Sequence, residues 1–96
     1  MSAYVIVDVE VTDLDKYQEY RKLAPATVEA HGGKYLARGS KIEYMEGNWT
    51  PKYIALVEFE SFERAKTWYG SPEYSSIRPI RQENTRSKMI LVDGIS

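Results

Sequence analysis

The chain has 96 residues, 43% hydrophobic and 28% charged, with 8 Tyr, 2 Trp and a formal charge of -1. That length holds one domain, which buries only about 60 to 70 per cent of its unfolded surface and so gains from a second copy. Thirteen basic against fourteen acidic side chains create no field that would draw the chain to nucleic acid or an anionic membrane. The absence of cysteine excludes disulfides, thiolate metal sites and thiol catalysis.

Residues Ala3 to Thr12 alternate with period two, Ala3, Val5, Val7, Val9 and Val11 pointing one way and Tyr4, Ile6, Asp8 and Glu10 the other, which predicts a strand. Asp8 cuts the apolar run short and no basic region precedes it, so the start reads neither as a signal peptide nor as a membrane span, and cytoplasm is the expected location. Asp13 is placed to cap a helix whose stripe is Leu14, Tyr17, Tyr20, Ala24, Val28 and His31, stopped by Gly32 and Gly33. Pro25 predicts a kink or restart within it.

Lys34 to Gly39 predicts a second strand, Gly39-Ser40 a bulge, and Lys41 to Glu46 an extended continuation before a turn over Gly47-Asn48-Trp49-Thr50-Pro51. Lys52 to Phe59 alternates again as a third strand. Ser61 caps a helix with the stripe Phe62, Ala65, Trp68 and Tyr69, ended by Gly70. Ser71-Pro72-Glu73 opens a further helical segment carrying Tyr74, Ile77, Ile80 and Arg81, and Ser87 to Asp93 is the last strand.

The order β-α-β-β-α-β fits a ferredoxin-like α+β unit spanning residues 1–96: an antiparallel sheet of strand order 4-1-3-2 with its helices on one face. The strands are apolar on both faces, with Ile6, Leu36, Ile54 and Leu56 opposite the valine-rich sides. One protomer cannot cover both, so a homodimer packed sheet against sheet, a dimeric α+β barrel, is expected.

The segments Ala3-Tyr4-Val5-Ile6-Val7, His31-Gly32-Gly33-Lys34-Tyr35-Leu36-Ala37-Arg38-Gly39, Glu46-Gly47-Asn48-Trp49 and Trp68-Tyr69-Gly70-Ser71-Pro72-Glu73-Tyr74 resemble the domain of unknown function 1330 family over almost the whole chain. The resemblance implies the dimeric α+β barrel superfamily, whose members include haem-degrading and quinone-forming monooxygenases and muconolactone isomerases. It implies no particular catalytic residues for this chain.

His31, the single histidine, suits a general base or axial ligand, and equally suits the C-terminal dipole of the first helix before Gly-Gly. Asp8, Glu10, Arg38 and Glu58 fall on the sheet face assigned to the dimer cavity, where they would bind an acidic or polar ligand or else lie in water at strand ends. Tyr17, Tyr20, Tyr35, Trp68, Tyr69 and Tyr74 are candidates for an aromatic pocket, or for core and interface. Arg78 and Arg81, three apart, read as a carboxylate grip or a solvated basic face. No metal or cofactor is expected, nor any nucleophile or phosphate-loop motif. The expected ligand-binding set is therefore Asp8, Arg38, Glu58, Tyr20 and Trp68, with His31 the one catalytic candidate. The functions left open are binding of a small aromatic or polar metabolite, metal-independent monooxygenase or isomerase chemistry, and haem degradation through His31.

Overall fold

The computed structural model describes residues 2–95. Its elements follow the expected order: β1 (Ala3–Val11), α1 (Leu14–Ala30), β2 (Lys34–Arg38), β3 (Ile54–Phe59), α2 (Phe62–Gly70), α3 (Pro72–Asn84) and β4 (Thr85–Asp93). The strands form one four-stranded antiparallel sheet ordered β2-β3-β1-β4. Val5, Val7 and Val9 of β1 and Ala55, Val57 and Phe59 of β3 point to one face and join Tyr17, Tyr20, Ala24 and Val28 of α1 and Ala65, Trp68, Tyr74 and Ile77 of α2 and α3 in a single core. All three helices thus lie on one side of the sheet, as period-two and helical patterns of this kind dictate. Among the described residues, no helix is long and apolar enough to cross a membrane.

Local chemistry sets the ends of the helices. The Asp13, Ser61 and Ser71 side chains accept hydrogen bonds from the backbone N–H of Lys16, Arg64 and Tyr74, supplying acceptors for donors that the first turn leaves free. At the far end of α1 the Gly32 N–H donates to the Glu29 carbonyl at 3.0 Å and the Gly33 N–H to Val28 at 2.9 Å, with Gly32 at φ 75°. This paired closure needs a left-handed residue, which glycine supplies without a Cβ clash.

Three local expectations are corrected. Helix α1 does not restart at Pro25, the second of the two outcomes expected there, but runs on through it to Ala30. Residues 40–53 form no strand, so the expected continuation after Gly39 does not join the sheet. The bulge falls at Leu36 rather than at Gly39-Ser40: Tyr35 pairs with Val57 and Ala37 with Leu56, so two residues of β2 advance against one of β3. That shift reverses every side chain after it.

The sheet face away from the helices carries Ile6 and Tyr4 of β1, Ile54 and Leu56 of β3, and Ile90 and Val92 of β4, with Leu36 at the bulge. Leu36 is 47% exposed and Ile90 57% exposed. Tyr4, Ile6, Ile54 and Leu56 are half-buried, and among the described residues no helix lies over this face.

Candidate functional site

Between the sheet and the helices lies a small void of about 30 Å³, large enough for one or two water molecules. Its buried floor is formed by Tyr20 of α1, Trp68 of α2 and Arg81 of α3 over the valines of β1. Its half-exposed rim is Arg21 of α1, Tyr35 and Arg38 of β2, and Tyr53.

The floor is a hydrogen-bonded chain. The Tyr20 and Tyr74 hydroxyls lie 2.7 Å apart, and Arg81 donates through Nε to the Tyr74 hydroxyl at 3.4 Å and through Nη1 to Ser87 Oγ at 2.6 Å. Arg81 is only 4% exposed. Burial opposes its charge, but the Tyr74 and Tyr20 phenols outweigh that effect and hold its pKa above the usual guanidinium value. Burial, reinforced by Tyr74, pushes the Tyr20 phenol far above its ordinary range; burial also pushes Tyr17 and Tyr35 up to about 12. Trp68 is fixed by its indole N–H, which donates to Thr27 Oγ1 at 3.1 Å, and by packing on the Tyr74 ring, tilted by 35° with centroids 4.1 Å apart.

The rim is cationic and aromatic. The Arg38 guanidinium lies over the Tyr35 ring at 4.9 Å, and that of Arg21 over Tyr53 at 5.8 Å. Both Tyr35 and Arg38 face the helices because the bulge at Leu36 separates them by an odd number of residues yet returns them to one face. Among the described residues, neither carboxylate nor histidine lines the void. Among the described residues, the ion pairs within 4.0 Å are His31 with Glu73, Lys34 with Glu58 and Arg86 with Glu10, so Arg21, Arg38 and Arg81 have no carboxylate partner there. Three guanidiniums therefore converge on one cavity without a counter-ion.

The sequence-derived candidates divide between two faces. Tyr20, Trp68 and Arg38 belong to this cavity. Asp8 and Glu58 lie on the opposite sheet face, so the expected grouping of Arg38 with Glu58 and Asp8 does not form. The reason is the bulge, which sends Arg38 inward opposite Ala55. Asp8 instead accepts a 2.8 Å hydrogen bond from the Trp49 indole, and Trp49 remains 60% exposed. Glu58 pairs with Lys34 at 3.6 Å; a hydrogen bond from Ser2, and then Lys34, hold its carboxyl below the usual range against the desolvation it suffers. Glu10 pairs with Arg86. His31 caps α1 and meets Glu73 Oε1 of α3 at 3.2 Å, and it is not among the residues lining the cavity. Of the other aromatic candidates, Tyr17 and Tyr35 line the cavity, Tyr74 supports its floor, and Tyr69 lies outside beneath Arg78 at 4.5 Å. Among the described residues, no three His, Asp or Glu side chains are grouped to hold a metal ion.

Sequence reasoning did not name Arg21 or Tyr53 as site candidates, and it read Arg81 together with Arg78 as a carboxylate grip or a solvated basic face; burial of Arg81 removes the solvated reading for that residue. The signal for Arg81 was its spacing: four residues after Ile77 and seven after Tyr74, it continues the buried stripe of α3. Arg21 carried the same signal, four residues after Tyr17, three before Ala24 and seven before Val28 along the buried stripe of α1.

A four-stranded antiparallel sheet with its helices on one face and an internal cavity between the layers defines a ferredoxin-like α+β protein. The chain belongs to the family described as Domain of unknown function (DUF1330), whose model matches residues 2–95. A protein of unknown function from Rhodopseudomonas palustris aligns at TM-score 0.79 and 16% identity, over 99% of this chain and 83% of that one. A dimeric ferredoxin-like protein of unknown function from Jannaschia sp. aligns at TM-score 0.74 and 14% identity, over 100% of both chains. SnoaB, a cofactor-independent oxygenase from Streptomyces nogalater, aligns at TM-score 0.69 and 8% identity, over 99% of this chain and 94% of that one. At such identities the likeness is one of fold. No curated protein sequence matches the chain.

Proposed function

We propose that this protein is a homodimeric cytoplasmic binding protein for a small, flat metabolite with an anionic head, held in the cavity between sheet and helices of each protomer. The observation that carries the reading is the convergence of Arg21, Arg38 and Arg81 on a tyrosine-walled cavity with no carboxylate in its lining. A buried guanidinium without a counter-charge is costly to keep, and the cost is offset when a ligand brings the charge. The void at the floor suits a carboxylate or enolate head; the Tyr35 and Tyr53 rings at the rim offer faces for a ring system.

The Arg81→Met variant separates this from a structural role. Removing the guanidinium orphans little, because the Tyr74 hydroxyl keeps Tyr20 and Ser87 Oγ keeps Thr85 Oγ1 at 3.1 Å. The expected stability change is within about 1 kcal/mol of wild type, or a gain. Benzoate binding, followed by Trp68 fluorescence with Trp49 replaced by Phe, should fall at least about tenfold while benzamide is bound weakly throughout. A severe loss of stability with unchanged benzoate affinity would count against the reading.

A catalytic version, a metal-independent monooxygenase or isomerase, draws support from the Tyr20–Tyr74–Arg81 chain, which places a phenol backed by a cation where negative charge would develop on a bound substrate. Oxygen uptake with a dihydroxynaphthalene probe that Tyr20→Phe abolishes would favour it. Equal uptake by both proteins would remove it.

A further inference from the structure

Helix α1 lacks one of its own hydrogen bonds at the turn before Pro25, and two cavity residues from other elements, Arg38 and Trp68, are tied to that turn. Proline at position 25 has no N–H, so the Arg21 carbonyl four residues earlier loses its helical donor. Arg38 Nη2 of β2 donates to that carbonyl at 2.6 Å. Two residues beyond Pro25, Thr27 Oγ1 donates to the Ala24 carbonyl at 2.8 Å and accepts from the Trp68 indole. The orphaned acceptor created by proline is thus filled by a cavity side chain from a different element.

The geometry of Arg38 assigns this bond a purpose. Its guanidinium is held on one side by the Arg21 carbonyl and beneath by the Tyr35 ring, and among the described residues its remaining N–H groups make no hydrogen bond. A guanidinium has five N–H donors in a rigid plane, so anchoring one nitrogen fixes the direction of the rest. Left free, this long side chain on an edge strand would lose rotamer freedom on binding an anion; anchored in advance, it loses much less.

We infer that Pro25 is a positioning residue for anion recognition: by withholding a donor from the Arg21 carbonyl it fixes the Arg38 guanidinium at the cavity rim, with its other N–H groups ready for the carboxylate or enolate head of the ligand. The inference rests on the anion-binding reading above and adds the residue that prepares the site.

The test pairs thermal melts with titrations of benzoate and of neutral benzamide, read by Trp68 fluorescence in the Trp49→Phe background. In Pro25→Ala the new N–H competes for the Arg21 carbonyl. The expected result is a melting temperature equal to or above wild type, because proline is unfavourable inside a helix, together with benzoate affinity about tenfold weaker. Arg38→Lys, which leaves α1 untouched, should lose a similar factor, since one ammonium cannot hold the carbonyl and fork onto an anion. Pro25→Ala combined with Arg38→Lys should bind no worse than Arg38→Lys alone. Unchanged or tighter benzoate binding in Pro25→Ala, or losses that add in the double variant, overturns the role of Pro25 and leaves the cavity reading standing. If wild type binds benzamide as well as benzoate, anion recognition fails and Pro25 with it. If wild type binds neither, the cavity reading falls too.

Discussion

Tyr17 and Tyr35 lie in the same cavity wall as the arginines, and burial there holds both phenols up to about 12 against an ordinary value of 10.0. A phenol with a raised folded pKa favours the neutral folded form: its contribution to stability is complete below pH 10 and is lost as pH climbs through the folded value. Stability should therefore be flat to about pH 10 and decline between pH 10 and about 12. Absorbance at ~295 nm, which reports tyrosinate, should show Tyr17 and Tyr35, assigned by their Phe variants, ionising only above pH 10 and together with unfolding. Ionisation of both near pH 10, with the fold intact by circular dichroism, would contradict their burial in the cavity wall. At this scale the sequence identified the aromatic and cationic residues but could not assign their faces. Arg38 is the clearest case: its inward direction depends on the bulge at Leu36, and no proline or glycine in β2 marks that bulge.

At the scale of elements, the α1–β2 junction packs directly on the core. A Cβ built on Gly33 would lie 2.7 Å from the Phe59 ring and 2.8 Å from Val28, side chains that are 0% and 2% exposed. Neither neighbour is a flexible chain end, so the clash cannot be relieved by turning one atom aside. Gly33→Ala should cost about 1 to 3 kcal/mol in urea denaturation, whereas Gly70→Ala, which meets nothing within 4 Å, should not destabilise by overpacking. Equal effects at the two positions would refute the close packing of helix end against β3. The two glycines were legible as a helix stop from the sequence, and the closed paired turn bears that out. The path of α1 through Pro25 was not legible, because the donor that satisfies the freed carbonyl comes from Arg38, thirteen positions further on and in another element.

For the molecule as a whole, the uncovered sheet face is the dominant unsolved surface. Ile6, Ile54, Leu56, Ile90 and Val92 form a contiguous apolar area crossed by β1, β3 and β4, with Lys34, Glu58, Glu10 and Arg86 toward its edges. A second copy laid face to face would bury that centre and leave the charges in a polar rim, which is the usual anatomy of a stable interface. Light scattering at micromolar concentration should give twice the 11.1 kDa chain mass, and Leu56→Glu should dissociate or aggregate because each protomer would bring a charge into the apolar centre. A wild-type monomer would end the homodimer proposal.

What the sequence determined by itself was the fold and its surplus of apolar surface. Alternation with period two, stripes at helical spacing and capping residues are local signals, and each is satisfied within the element that carries it. Only the tertiary structure decided which charges meet. One residue inserted into the β2 pairing moved Arg38 from the face of Asp8 and Glu58 to that of Arg81 and Arg21, and a proline in α1 gave it an acceptor there. Register and long-range donors are properties of pairs of elements, so no single stretch of this sequence contains them.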